Sequence, residues 1–191
     1  MKKILIILII FFGSIQNINA EVKRIISGNK NAKISILAYE SLTCSHCADF
    51  HNDVYPQLKK EYIDTGLAKI EFRHFPLDIA AFNASKISQC KNDGGSNILD
   101  RLFLNQQKWV KGSTPEEAND YLKKFLIEEG IDLDFNKCIN DKKIEDFILN
   151  DRIDGVKKFN VNATPTIIIN DEKFEKSLNY KNLKKALEKL I

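Results

Sequence analysis

The chain has 191 residues, 43% of them hydrophobic, and its 29 Lys and Arg residues nearly balance 26 Asp and Glu residues. This length is enough for one domain with a substantial core, with room for an inserted subdomain. The formal net charge of +3 comes from basic residues scattered among acidic ones. This pattern argues against nucleic acid or another polyanion as a partner.

The first 20 residues have the pattern of a secretory signal peptide. Lys2 and Lys3 precede the apolar run ILIILIIFF at 4–12, and small or polar residues follow as far as Ala20. An apolar run of this length is short for a spanning helix, which needs roughly 20 residues. We expect export to the periplasm and cleavage after Ala20. An uncleaved anchor is an alternative because Ile18 is bulky for position −3, and a buried N-terminal helix or strand is another.

The next segments predict a strand, a helix and a second strand. Residues 33–40 (KISILAYE) are apolar and partly β-branched, which indicates a buried strand. From 45 to about 64, apolar residues recur at near-helical spacing, and Pro56 predicts a kink partway along. Gly66 ends this helix, and the alternation in 67–73 (LAKIEFR) predicts the following strand.

The rest of the chain predicts a helical block and then a return to strands. Periodicity indicates helices over most of 78–159, with an N-terminal capping box and proline at 114–117 (TPEE). Residues 166–170 (TIIIN) predict a buried strand, 173–174 start a weak partner strand, and 180–191 form an amphipathic closing helix. The predicted order is β, α, β, a helical block, then β, β, α.

Two cysteines stand where the first predicted strand meets the following helix, in the sequence CSHC at 44–47. The free N–H groups and positive dipole end of that helix stabilise a thiolate at Cys44 and lower its pKa. His46 can add a donor or a positive charge near the same sulfur. Cys47 lies one turn further in and is suited to resolving a mixed disulfide. The pattern therefore predicts a redox centre.

A zinc site and a passive disulfide staple are the alternatives for this segment. Three candidate zinc ligands could face one another: Cys44, Cys47 and His51. Either His46 or His74 could supply the fourth ligand. However, the sequence has no second C-x-x-C, and the other cysteines stand alone at 90 and 138. We therefore prefer redox chemistry and expect no bound metal.

The sequence resembles the DsbA-like thiol:disulfide oxidoreductases. The resemblance rests on the CSHC motif, on the order of strands and helices, and on residues 163–166 (ATPT), which are similar to the cis-proline loop of that family. It implies an α/β thioredoxin fold with an inserted all-helical domain. Residues 21–76 and 156–191 would form the two halves of the thioredoxin-like domain, and 77–155 the insertion.

The same resemblance implies a function. The protein would introduce disulfide bonds into unfolded exported proteins through Cys44 and Cys47, with Thr164 and Pro165 binding the substrate backbone. A membrane-embedded DsbB-type protein would reoxidise it, with no cofactor. Isomerases of this fold are usually dimers with an extra N-terminal domain, and the chain lacks room for one before Lys33, so we expect a monomeric oxidase. A disulfide isomerase or reductase is the alternative, because threonine before the cis-proline occurs in both classes.

A buried acidic residue of this family is missing from its usual place. Many thioredoxin-fold proteins have it six positions before the first cysteine, where this chain has Ala38. Glu40 lies on the same strand face by alternation and is a candidate proton relay through water. A solvated strand end is an equal alternative for Glu40.

The remaining cysteines predict a structural disulfide. Four cysteines allow three pairings, and once the C-x-x-C pair closes on itself only Cys90 with Cys138 is left. An oxidising compartment favours this bond. Two buried free thiols are the alternative.

Overall fold

The computed structural model describes residues 21–191, so the predicted signal peptide at 1–20 lies outside the described residues. The central sheet has five strands in the order β1-β3-β2-β4-β5. These strands are β1 (Ile25–Gly28), β2 (Ile34–Glu40), β3 (Ala68–His74), β4 (Thr166–Ile169) and β5 (Glu172–Lys173). Strand β2 is central, with β3 parallel on one side and β4 antiparallel on the other. It ends at Glu40, and residues 41–43 separate it from the cysteine motif that begins at Cys44.

One helical stretch over 45–63 follows β2 and alternates between α- and π-helical turns. Its parts are α1 (Ser45–Asp49), π1 (Phe50–Val54), α2 (Tyr55–Leu58) and π2 (Lys59–Ile63). Proline has no N–H to donate to the preceding turn, and the first π-helical segment ends just before Pro56. The predicted helix is therefore present, with one π-helical segment before the proline and another after it.

The helical insertion lies between β3 and β4. It contains α3 (Ile79–Gln89), α4 (Asn97–Leu104), α5 (Gln106–Trp109), α6 (Pro115–Glu128), α7 (Phe135–Ile139) and α8 (Lys142–Phe159). The predicted start of α6 is confirmed, because Thr114 Oγ1 accepts from Glu117 N over 3.2 Å and Pro115 opens the helix. Helix α9 (Tyr180–Leu187) closes the described chain and ends before the predicted residue 191.

Strand β1 was not predicted from the sequence. It pairs antiparallel with β3, and Ile25 lies opposite Phe72. Only Ile25 of its four residues is buried, so the strand lacks the alternation that marks a half-buried strand. Its existence depends on pairing with a segment more than 40 residues away in sequence.

One hydrophobic core joins the sheet to the insertion. It includes Ile36 and Ile70 from the sheet, Leu58 from the helical stretch, and Leu102 and Phe125 from the insertion. The sheet and the insertion are therefore packed together through a shared hydrophobic core. No helix within residues 21–191 is both long and apolar enough to span a membrane.

One cross-link lies within the insertion, and another ties the insertion to the sheet. Cys90, at the end of α3, and Cys138, in α7, form a disulfide with their Cα atoms 5.4 Å apart. In α8, the fully buried Asp151 carboxylate pairs with Arg24 and Arg73 and accepts from His74 N over 3.2 Å. A buried carboxylate is stable only with such partners, so this network fixes α8 against β3.

Candidate active site

Cys44 occupies the N-cap position of the helical stretch that follows β2. Its backbone is extended, and its carbonyl accepts from the N–H groups of Cys47 and Ala48 over 3.1 and 3.2 Å. Cys44 is partly exposed, whereas Cys47, one turn further along, is fully buried. Both cysteines are free thiols. One sulfur is thus accessible to a partner and the other is shielded.

The surroundings of Cys44 favour its thiolate. The Cys47 thiol donates to this sulfur, and the backbone N–H groups of Cys47 and His46 also point to it. These hydrogen bonds outweigh partial burial and lower the pKa of Cys44 to about 5. Cys44 is therefore ionised at neutral pH, as required for a nucleophile and a good leaving group.

The pKa of Cys47 is shifted in the opposite direction to that of Cys44. Burial is the largest cause that raises its pKa, and its hydrogen bond to Cys44 and the negative charge of Glu40 raise it further. Cys47 therefore stays protonated unless a neighbouring group accepts its proton.

The cis-proline loop lies beside Cys44. The Thr164–Pro165 peptide bond is cis, and the Cys44 thiol lies 3.3 Å from the Thr164 carbonyl oxygen. A groove of about 450 Å³ runs past this loop, with Phe50 and Leu178 among its apolar lining residues. Its position next to the exposed sulfur suits an extended peptide segment.

His46 is close to Cys44, but its ring points elsewhere. The side chain is 82% exposed, and Nδ1 lies 3.4 Å from a carboxylate oxygen of Asp49. Its contact with the Cys44 sulfur is made by the backbone N–H. The donor that His46 contributes to the Cys44 sulfur is therefore its backbone N–H, and its imidazole lies beside Asp49.

Glu40 is buried and is not a solvated strand end. One of its carboxylate oxygens lies 3.0 Å from Nε2 of His51, and both residues are at least 96% buried. On the other side of the ring, Nδ1 lies 3.6 Å from a carboxylate oxygen of Asp100 in α4. Burial alone would lower the pKa of His51, but the Glu40 charge and the contacts with Asp100 raise it to about 9. The imidazole is therefore charged between two carboxylates.

The candidate zinc ligands point in different directions. His51 faces Glu40 and Asp100, and His46 faces Asp49. His74 is buried on β3, and its burial lowers its pKa to about 4. Among residues 21–191, no three or more His, Cys, Asp or Glu side chains are grouped as they would be around a metal ion.

Three contacts between the insertion and the cysteine loop were missed by sequence reasoning. Gln106 Nε2 donates to the carbonyl oxygens of Leu42 and Cys44 over 2.7 and 2.9 Å. The Thr43 hydroxyl donates to Asp78, which also caps α3. Asp78 could have been recognised as an N-cap before an apolar run. Nothing in the local pattern distinguishes Gln106 from its neighbour Gln107.

Comparisons with known sequences agree with this geometry. Residues 20–189 match a family model described as thioredoxin. A Rickettsia bellii relative with the provisional name protein-disulfide oxidoreductase is 29% identical over 167 residues, which are 86% of this chain. The chain spans 63% of the length of that relative. Disulfide bond formation protein D of Bacillus subtilis is 26% identical over 85% of this chain and 74% of its own length.

Solved structures give the same result. Alpha-DsbA1 of Wolbachia pipientis is 32% identical, with a TM-score of 0.76 over 87% of this chain and 90% of its own. Alpha-DsbA2 of the same organism is 29% identical, with a TM-score of 0.66 over 88% of this chain and 87% of its own. The predicted α/β thioredoxin fold with a helical insertion is thus confirmed. The chain belongs to the thioredoxin family and, within it, to the DsbA-like proteins.

Proposed function

We propose that this protein is a thiol:disulfide oxidoreductase that introduces disulfide bonds into exported proteins. The observation that carries the proposal is the contrast between the two sulfurs of one C-x-x-C pair. Cys44 is accessible and its pKa is lowered to about 5, whereas Cys47 is buried and its pKa is raised. This asymmetry suits a pair in which one sulfur exchanges with substrate and the other resolves the adduct.

The reaction follows from this assignment. A substrate thiolate attacks Cys44 Sγ of the oxidised pair, the Cys44–Cys47 bond breaks, and its electron pair goes to Cys47, which takes up a proton. A second substrate thiolate then attacks the substrate sulfur bonded to Cys44. The substrate leaves with a disulfide, and Cys44 leaves as a thiolate. The enzyme has gained the two electrons that the substrate lost.

The low pKa of Cys44 supports the direction of oxidation. A stabilised thiolate favours the reduced form of the enzyme, and this preference makes its disulfide a strong oxidant. Thr164 and Pro165 are the proposed binding site for the substrate backbone, which would pair with the loop as a short added strand.

The proposal also covers the location of the protein, its oligomeric state and the way it is reoxidised. We infer export to the periplasm by residues 1–20, action as a monomer, and reoxidation by a membrane-embedded DsbB-type protein. We also propose that 21–76 and 156–191 form the thioredoxin-like domain and 77–155 the insertion. The even number of cysteines and the Cys90–Cys138 bond support an oxidising compartment.

Trapping of adducts tests the assignment of roles. Cys47→Ala should accumulate mixed disulfides between Cys44 and exported proteins, because the resolving sulfur is absent. Cys44→Ala is the matched control and should trap none. Adducts that form through Cys47 in the control variant and not through Cys44 would overturn the assignment.

The redox equilibrium with glutathione tests whether the protein oxidises substrate thiols or reduces substrate disulfides. An oxidase should remain largely reduced in mixtures of reduced and oxidised glutathione that leave an ordinary structural disulfide intact. A pair as resistant to reduction as such a disulfide would favour the reductase alternative, and a pair that shows no exchange would contradict the proposed function.

A further inference from the structure

His51 occupies a buried position beneath the active-site pair. It lies four residues after Cys47 on the same helical stretch and therefore on the same face. Glu40 from β2 and Asp100 from α4 approach opposite nitrogens of its ring, over 3.0 and 3.6 Å. Three separate elements, one of them in the insertion, thus meet at one imidazole.

The other neighbours of this ring are aromatic. Phe103 of α4 stacks on it with centroids 4.1 Å apart, and Phe72 of β3 lies at 5.3 Å. Phe50 and Tyr55 pack against it from its own stretch. Burial raises the pKa of Tyr55 to about 12, so this phenol is neutral at working pH. The charged groups that face His51 are therefore the two carboxylates, in surroundings where charges interact strongly.

Glu40 connects this cluster to the reacting sulfurs. His51 contacts one oxygen of its carboxylate, and the second oxygen, Oε1, is buried without a hydrogen-bond partner. The negative charge of Glu40 also contributes to the raised pKa of Cys47. A buried carboxylate oxygen without a partner is costly, so its retention beside a thiol that must gain and lose a proton calls for an explanation.

We infer that His51, held by Asp100, is a positioning residue that keeps Glu40 able to exchange a proton with Cys47 at neutral pH. This inference rests on the proposed function. Burial raises the pKa of the Glu40 carboxyl, and without the cation beside it this carboxyl would keep its proton to a still higher pH. The imidazolium stabilises the carboxylate and so allows both protonation states.

In this inference the proton moves between Glu40 and Cys47 through water, because Oε1 of Glu40 has no direct hydrogen bond to the sulfur. When the Cys44–Cys47 bond breaks, the Glu40 carboxyl gives its proton to the departing Cys47 thiolate and then regains one from solvent. When an adduct on Cys44 is resolved, the Glu40 carboxylate takes the proton of Cys47, whose thiolate attacks Cys44 and releases the bound thiol. Asp100 is partly exposed and connects the far side of the ring to the surface.

NMR titration of the wild-type protein tests the charge of His51 without any need for exchange activity. The imidazole resonances of His51 should show a protonated ring at neutral pH that titrates near 9, while those of the buried His74 should show a neutral ring. A neutral His51 ring at pH 7 would overturn the inference even if the enzyme is fully active.

Resolution kinetics test the link to Cys47. Glutathione is attached to Cys44, and its release by Cys47 is followed as a function of pH. In His51→Gln the acidic limb of this profile should move upward by about one pH unit, a roughly tenfold slower release at a given pH. In Glu40→Gln release should be slow, and adding His51→Gln should cause no further shift.

His74→Gln is the matched control, because it also removes a buried histidine. It should lower the stability without moving the pH profile. An unshifted profile in folded His51→Gln, or an equal shift in the His74 variant, would contradict the inference. A wild-type protein that neither forms nor releases the glutathione adduct would instead contradict the proposed function.

Discussion

The side-chain amide of Gln106 donates to the backbone carbonyl oxygen of Cys44 over 2.9 Å. The same nitrogen donates to the carbonyl of Leu42 over 2.7 Å, so one residue of the insertion holds the turn that presents the Cys44 sulfur. The insertion is therefore part of the active-site framework.

Replacing this amide should loosen the cysteine turn. Gln106→Leu removes the side-chain donor to the Leu42 carbonyl and one of three donors to the Cys44 carbonyl, and we expect it to lower the free energy of unfolding by about 1–3 kcal/mol. Urea denaturation of the reduced protein measures the change. Gln107→Leu is the matched control, since Gln107 is exposed and should have little effect. Equal effects of both substitutions would contradict the role of Gln106.

The reactivity of Cys44 should follow its low pKa. Alkylation by iodoacetamide should rise with pH around a midpoint near 5. The Cys47 thiol is the largest contributor to this pKa, so Cys47→Ala should move the midpoint upward. A midpoint near the ordinary cysteine value in the wild-type protein would refute the proposed thiolate.

The same pKa predicts how the stability of the reduced form depends on pH. A thiol whose pKa is lowered by folding stabilises the folded state fully above its unfolded pKa, and this contribution is lost as the pH falls through about 5. The oxidised form has no such thiol. The stability of the reduced form relative to the oxidised form should therefore increase from pH 5 to pH 8, as measured by urea midpoints of both forms.

His46 should have a smaller effect than the motif suggests. His46→Ala removes the ring but keeps the backbone N–H that points to the Cys44 sulfur. Because the side chain is 82% exposed and faces Asp49, solvent screens any electrostatic effect of the ring on the Cys44 sulfur. We expect the Cys44 pKa to rise by less than about one unit and the protein to become slightly less oxidising. No change in the glutathione equilibrium would show that the ring has no influence and that the low pKa of Cys44 comes from its hydrogen bonds with Cys47, Thr164 and the backbone.

The disulfide in the insertion should contribute to stability. Its cysteines are 48 residues apart in sequence. For a loop of this size, the chain-entropy relation gives about 4 kcal/mol, which we take as the upper value. The double variant Cys90→Ala with Cys138→Ala should unfold at a lower urea concentration than the wild type. A non-reduced peptide map should show both cysteines in one linked peptide, and their recovery as separate alkylated peptides would disprove the bond.

Sequence patterns within short segments were sufficient to predict the strand and the helices that frame the candidate active site. A β-branched apolar run predicted β2, the cysteine motif followed it closely, and Thr114 with Pro115 predicted the start of α6. Each of these features depends on residues that are close in sequence. The order of elements then placed Cys44 at the start of a helix.

The contacts around the buried charges could not be predicted in the same way. Alternation along β2 placed Glu40 on one face, but the sequence does not show that His51 and Asp100 meet it there. That meeting depends on how α4 packs against the helical stretch over 45–63, which involves residues about 50 positions apart. Strand β1 was missed for the same reason, because its partner is distant and its own pattern is weak.

Both outer strands of the sheet are poorly suited to accept another chain. The N–H of Ile26 on β1 is already bonded to the carbonyl of Gly94 over 3.2 Å. At the opposite edge, β5 consists of two charged residues, Glu172 and Lys173. Short, charged or covered edges discourage strand addition. If the proposed function holds, the protein meets many extended segments of unfolded chains, and these edges favour the proposed pairing at Thr164, beside Cys44, over aggregation along the sheet.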